Sequence, residues 1–146
     1  MTPDQLFGIV GKIPLPGWLL LLFLPRWRYT MPVVRGFCVV ALAAFYSYLI
    51  VAHFGDGKGG FGSLRDVALL FENRWALLAG WVHYLAFDLF VGAWMTEDAQ
   101  KRGISHWFVV PCLPLTLMFG PMGLLLYLGL RVAILRLRPA ATAASA

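Results

Sequence analysis

Two ionisable side chains, His83 and Asp88, lie inside the apolar run 75–95, where a central Asp costs roughly 2.5–3.5 kcal/mol on insertion into a bilayer. Groups that expensive ask for a reason. Asp88 sits about three positions past the middle of the run and His83 about as far before it, so a spanning helix holds both near the midplane. A proton donor and a proton acceptor at that depth can perform acid–base chemistry on an apolar substrate. Their spacing of five residues corresponds to about 500° of helical rotation, which leaves the side chains about 140° apart around the axis and about 7.5 Å apart along it. They are not a ready-made hydrogen-bonded dyad. Asp88 shares its face with Tyr84 and Gly92, and His83 shares one with Phe87 and Trp94. Asp88 therefore meets a partner on another helix, or stays protonated because removal from water disfavours the charged form.

The elements that position these groups are helices in a bilayer. Apolar residues make up 60% of the 146 and charged residues only 13%, well outside the roughly 45–50% apolar content of soluble domains. They fall in long runs rather than in the stripes of a soluble core. Each run reads as a membrane span, and the length allows one domain, 1–139, with an Ala-rich tail, 140–146, expected to be disordered. The net charge of +5 sits in short loops and beside helix ends, as with Arg26, Arg28, Lys101 and Arg102, which fits membrane topology and anionic lipid and excludes nucleic acid as a partner. Cys38 and Cys112 fall within apolar runs without metal-type spacing and read as buried free thiols. The chain opens without the pattern of a secretory or transit leader, so its first run is expected to persist as a helix.

The predicted fold is an all-α integral membrane bundle of four transmembrane helices at about 6–24, 33–53, 75–95 and 107–135. Lys12, Pro14 and Pro16 interrupt the first, and Pro111, Pro114 and Gly120-Pro121 break the fourth, because proline removes a backbone donor and clashes with the preceding turn. The glycine-rich stretch 55–62 is a loop. Ser63-Leu64-Arg65-Asp66 has capping-box character, and Val67, Leu70 and Phe71 share a face, which predicts a short interfacial helix before the third span. Four spans put both termini on one side. Basic residues then divide almost evenly between the two sides, so charge sets no orientation.

In an antiparallel bundle Thr116 reaches the depth of Asp88, Gly120-Pro121 falls near the midplane, and Lys12 lies across the bundle on the His83 side. A break at Gly120-Pro121 frees backbone carbonyls that only protein or a polar cavity can receive at that depth. The expected site is a cavity lined by Tyr84, Asp88, Thr116 and the broken backbone. Trp81, Phe87 and Trp94 are candidate walls for an apolar substrate, with helix packing as the alternative. Gly80 and Gly92 read as points of close helix approach. Asp98 and His106, near one surface, are candidates for proton uptake or simply solvated loop residues. His53, His83 and His106 lie at different depths, which argues against haem or metal, and no cofactor is expected.

The run Gly80-Trp81-Val82-His83-Tyr84-Leu85-Ala86-Phe87-Asp88-Leu89-Phe90-Val91-Gly92, followed by Asp98-Ala99, Gly103-Ile104, His106, Pro111-Cys112, Thr116, Gly120-Pro121, Gly123 and Arg131, resembles the ABA-deficient-four-like family, which includes the plant protein regarded as neoxanthin synthase. The likeness is dense from about Arg74 to Arg131. It implies a membrane protein of carotenoid metabolism, and an isomerisation that opens a carotenoid epoxide into an allene without redox change. With no plastid leader, the chain resembles a bacterial or otherwise non-plastid member, placed in the cytoplasmic membrane if bacterial and acting on a carotenoid or another isoprenoid lipid. Protonated Asp88 is then the expected acid, with His83 or a water near Tyr84 the base. The contrasting expectation is a non-catalytic protein that binds a carotenoid or lipid, or scaffolds a pathway enzyme, alone or as a homo-oligomer.

Overall fold

The structure is a computed structural model and describes residues 1–53, 55 and 57–137; the tail expected at 140–146 lies outside the described residues. Among them the regular structure is entirely helical. Helices α1 (Pro3–Val10) and α2 (Leu15–Phe23) form one interrupted rod. Helix α3 (Pro32–His53) begins with a wider π-type winding over Pro32–Val39. Helices α4 (Leu64–Glu72), α5 (Arg74–Lys101), α6 (Cys112–Phe119) and α7 (Pro121–Leu137) follow. Three of these units, Pro3–Phe23, Pro32–His53 and Arg74–Lys101, are long and apolar enough to cross a membrane. Their outward side chains, among them Phe23, Phe37, Tyr48 and Val51, are exposed and apolar, as a surface turned to lipid rather than water must be.

Local sequence sets the helix starts. The Thr2 side chain accepts from the Gln5 N–H and Gln5 returns a bond to the Thr2 N–H, closing a capping box ahead of α1. Ser63 Oγ accepts from the Asp66 N–H at 3.1 Å and opens the amphipathic α4. Asn73 Oδ1 accepts from Trp75 N at 2.8 Å and from Ala76 N at 3.4 Å, starting α5. Gly17 and Gly92 let α2 and α5 approach, since a Cβ at Gly17 would press on Leu89 and one at Gly92 on Trp18. Gly80 likewise receives Phe71 of α4. Without water-driven burial between helices, such close contact is what holds a membrane bundle together.

The last helices depart from expectation. A single kinked crossing over 107–135 would carry residues 127 and 131 to the α5 N-terminal end. Instead Tyr127 and Arg131 both bond Asp98, near the α5 C-terminal end. Gly123 sits so close to α6 that an added Cβ would collide with Thr116 Oγ1 and with the backbone of Thr116 and Cys112, residues that would be about 10–16 Å away in a continuous helix. The chain therefore reverses at Gly120, whose φ of +46° an L side chain rarely adopts. Helices α6 and α7 form a hairpin that enters beside α5, turns at the level of Asp88, and runs back along it. The lengths agree: the ten steps along α5 from Asp88 to Asp98 and the eleven from Gly120 at the tip to Arg131 in α7 rise about 15 Å and about 16.5 Å. The start of α1, held by the Asp4–Arg74 ion pair at 2.8 Å, and the end of α7 consequently lie at opposite ends of the bundle rather than together.

Candidate functional site

Buried polar side chains identify the site. Thr30, Thr96 and Thr116 each donate to a backbone carbonyl, of Leu24 at 2.6 Å, Gly92 at 2.9 Å and Cys112 at 2.8 Å. Asp88 is the remaining buried polar residue among those described, 8% exposed, and its Oδ2 is fully buried with no hydrogen-bond partner. A buried carboxyl oxygen left unpaired is rare enough in a folded protein to demand an explanation.

The hairpin tip closes over this carboxyl. An added Cβ at Gly120 would lie 2.9 Å from Asp88 Oδ1, so the glycine provides both the reversal and the room. Immediately after it α7 begins at Pro121, which has no N–H, and the Gly123 and Leu124 N–H groups both return to the Gly120 carbonyl, at 3.1 Å and 3.4 Å. Tyr84, one turn before Asp88, lies beside the carboxyl. Its hydroxyl donates to the Leu117 carbonyl at 2.8 Å. Leu117 belongs to the last turn of α6, and the residue four positions on is Pro121, which has no N–H to offer. Tyr84 thus supplies the donor that the break withholds. Trp18, whose ring lies against Gly92 one turn beyond Asp88, also keeps a buried indole N–H without a partner.

The residues proposed from sequence do not all gather here. Tyr84, Asp88, Gly120 and Pro121 do. Trp81 adjoins them, 5.4 Å from the Tyr84 ring and 5.3 Å from that of Phe7. Thr116 is buried close by but spends its hydroxyl on Cys112 and packs beneath Gly123. His83 and Phe87 stack on each other at 4.4 Å, with Tyr46 5.6 Å from His83; they sit on the α3 side of α5, as the 140° separation required. His83 and Asp88 are not brought together. Trp94 lies against the hairpin, 5.9 Å from Tyr127 and under the Arg131 guanidinium. Asp98 is fully engaged by Arg102, Tyr127 and Arg131, and His106 Nε2 bonds the Leu22 carbonyl at 3.1 Å; both act as ties between elements. Lys12 is exposed at the α1–α2 break, not a partner for Asp88. Sequence reasoning overlooked the Leu117 carbonyl, although a proline four residues on was a direct signal for it. It also missed Gly123 and Tyr127, whose contacts exist only once the chain reverses.

Compared with known proteins, the chain matches a family model described as ABA4-like, ABA DEFICIENT 4-like, over residues 5–127. No curated protein and no solved structure matches it.

Proposed function

This chain belongs to the ABA DEFICIENT 4-like family, and on that premise we propose that it is a membrane-embedded isomerase of a carotenoid or related isoprenoid lipid in which Asp88 moves the protons. The family suggests a role related to carotenoid and neoxanthin biosynthesis. The observation that carries the reading is the buried Asp88 carboxyl, one oxygen against Gly120 and the other unpaired. An oxygen free of the protein's own hydrogen bonds leaves this carboxyl able to exchange a proton with a bound molecule. Such a group can serve as acid and then as base.

In the proposed reaction protonated Asp88 gives its proton to an epoxide oxygen as the carbon–oxygen bond breaks. The carboxylate then takes a proton from the adjacent chain carbon, whose bonding pair forms the second double bond of an allene. The oxygen ends as a hydroxyl and Asp88 ends protonated. Atoms and electrons balance, so the step calls for no redox cofactor or metal. Tyr84 positions the carboxyl and the hairpin tip, and Trp81 with Phe7 supplies an apolar wall on the approach to it. In this reading His83 is not the base.

We further read the chain as crossing the membrane three times, with α6–α7 re-entering halfway, in the cytoplasmic membrane if the host is bacterial. The proposed partners are the bilayer and one apolar isoprenoid molecule. A bacterium accumulating an epoxycarotenoid provides the test, with pigments resolved by chromatography and mass spectrometry. Wild type should convert the epoxide to an isomer of equal mass, and Asp88→Asn should lower conversion by about 10²–10⁴-fold at equal protein level. Epoxide that copurifies unchanged with wild type would overturn the enzyme in favour of the non-catalytic binding or scaffolding role.

A further inference from the structure

A second chamber lies away from Asp88, between α3 and α5 and beneath α4. It has a volume of about 290 Å³ and is walled by Tyr46, Ile50, Phe71, Trp75, Ala76 and His83, among others. That is the lower end of small-ligand pocket sizes. The wall is mostly apolar, with Tyr46, half-buried, and His83, exposed, among the residues that line it, and among the described residues no hydrogen bond is made by the Tyr46 hydroxyl or the His83 imidazole, only the ring contact between them at 5.6 Å. The other polar members are committed, Asn73 to capping α5 and His53 to stacking on Trp75 at 4.1 Å. Pockets that hold apolar molecules pair such walls with one or two placed polar groups that fix orientation.

We propose that this chamber is a second binding site, taking one apolar molecule of about ten to fifteen carbons whose single hydroxyl or carbonyl bonds His83 and Tyr46. The site is separate from the Asp88 chemistry and stands whether or not that chemistry is correct. A diazirine-bearing decanol and the matching decane, photolysed with the protein in vesicles and mapped by mass spectrometry, test it. The alcohol should label the α3 and α5 walls near Ile50 and Ala76. Filling the chamber with Ala76→Leu should cut that labelling about tenfold, His83→Phe with Tyr46→Phe should bring the alcohol down to the level of the decane, and Asp88→Asn should change nothing. Equal labelling by alcohol and decane in wild type, or labelling indifferent to Ala76→Leu, overturns the proposal.

The hairpin carries a second inference independently. Because the chain reverses at Gly120, Arg131 and Arg136 return to the α5 C-terminal end, joining Arg26, Arg28, Arg35, Lys101 and Arg102. Among the described residues Lys58, Arg65 and Arg74 stand at the other end with the N-terminal amine, accompanied by Asp4, Asp66 and Glu72, while Lys12 lies between the two ends at the α1–α2 break. The near-even division that a fourth crossing implies becomes a strong bias, and short basic segments stay on the cytoplasmic side. The geometry points to the α5 C-terminal end, with the open base of the hairpin, facing the cytoplasm. Cys38 and Cys112 are buried, so single cysteines at exposed positions can be probed in intact bacteria with a membrane-impermeant maleimide. Leu64→Cys should label before lysis, and Ser105→Cys and Leu137→Cys only after it. The reverse pattern overturns the orientation, and labelling of positions 105 and 137 from opposite sides overturns the hairpin.

Discussion

Helix α5 presents two aspartates to the same hairpin, ten residues apart, and they are treated in opposite ways. Asp98, at the hairpin base, receives the Tyr127 hydroxyl at 2.7 Å, Arg131 at 3.2 Å and Arg102 at 2.9 Å. Asp88, at the tip, meets a glycine and has a buried oxygen that makes no hydrogen bond. Satisfied carboxylates hold structures together; an unsatisfied one at the end of a built turn is available to something that is not the protein. Exchanging charge for amide at each position separates the two roles. Asp88→Asn keeps the shape and removes the transferable proton, so conversion should fall by about 10²–10⁴-fold with the melting temperature in detergent unchanged or raised. A loss of folding with no specific loss of turnover would make Asp88 another Asp98.

The next largest effect belongs to the base. Removing Asp98 strands Arg131 and the Tyr127 hydroxyl in a half-buried interface, and charged hydrogen bonds lost in this way cost roughly 2–4 kcal/mol. Asp98→Ala should therefore lower the detergent melting temperature markedly and expose position 137 to proteolysis, while the protein that stays folded keeps its Asp88 chemistry. Turnover per folded molecule falling as far as in Asp88→Asn would erase the distinction between the two ends.

Gly120→Ala acts on both at once and more weakly on stability. An L side chain at φ +46° costs roughly 1–3 kcal/mol, and its Cβ would press on Asp88 Oδ1. Activity should drop by about one to two orders of magnitude, the equivalent of displacing a catalytic group by about 1 Å. Wild-type activity with a lowered melting temperature would show that the tip serves the turn alone.

How much of this was legible follows from what each signal depends on. The first two spans, expected at 6–24 and 33–53, are found at Pro3–Phe23 and Pro32–His53, because hydropathy is a property of the run itself. Asp88 stood out because a carboxyl in an apolar run is costly wherever its neighbours are. The third helix runs beyond the expected boundary to Lys101: Glu97 and Asp98 look like turn residues in sequence, but Glu97 pairs with Arg35 at 2.7 Å and Lys101 at 3.2 Å, and paired charges can stay helical. The reversal was not legible. Gly-Pro reads equally as a kink or as a turn, and only Gly123 fitting against Thr116, together with Asp98 receiving Arg131, decides between them. His83 illustrates the same limit from the other side, since its angle around α5 was correct while the chamber it faces depends on where α3 and α4 pack.

The smallest effect tests the link between the two ends. Tyr84 touches both the carboxyl and the Leu117 carbonyl, so Tyr84→Phe leaves one carbonyl of the α6 terminus without its donor. A single neutral hydrogen bond lost in this setting costs about 1–2 kcal/mol, a shift of a few degrees in melting temperature for a chain of this size. If the hydroxyl only staples the break, turnover should follow that modest loss and the dependence of rate on pH should keep its shape. If it also orients the Asp88 proton, turnover should fall about tenfold and the pH profile should move with it. The first outcome assigns Tyr84 to the scaffold with Asp98; the second extends the chemical end of the hairpin by one turn of α5.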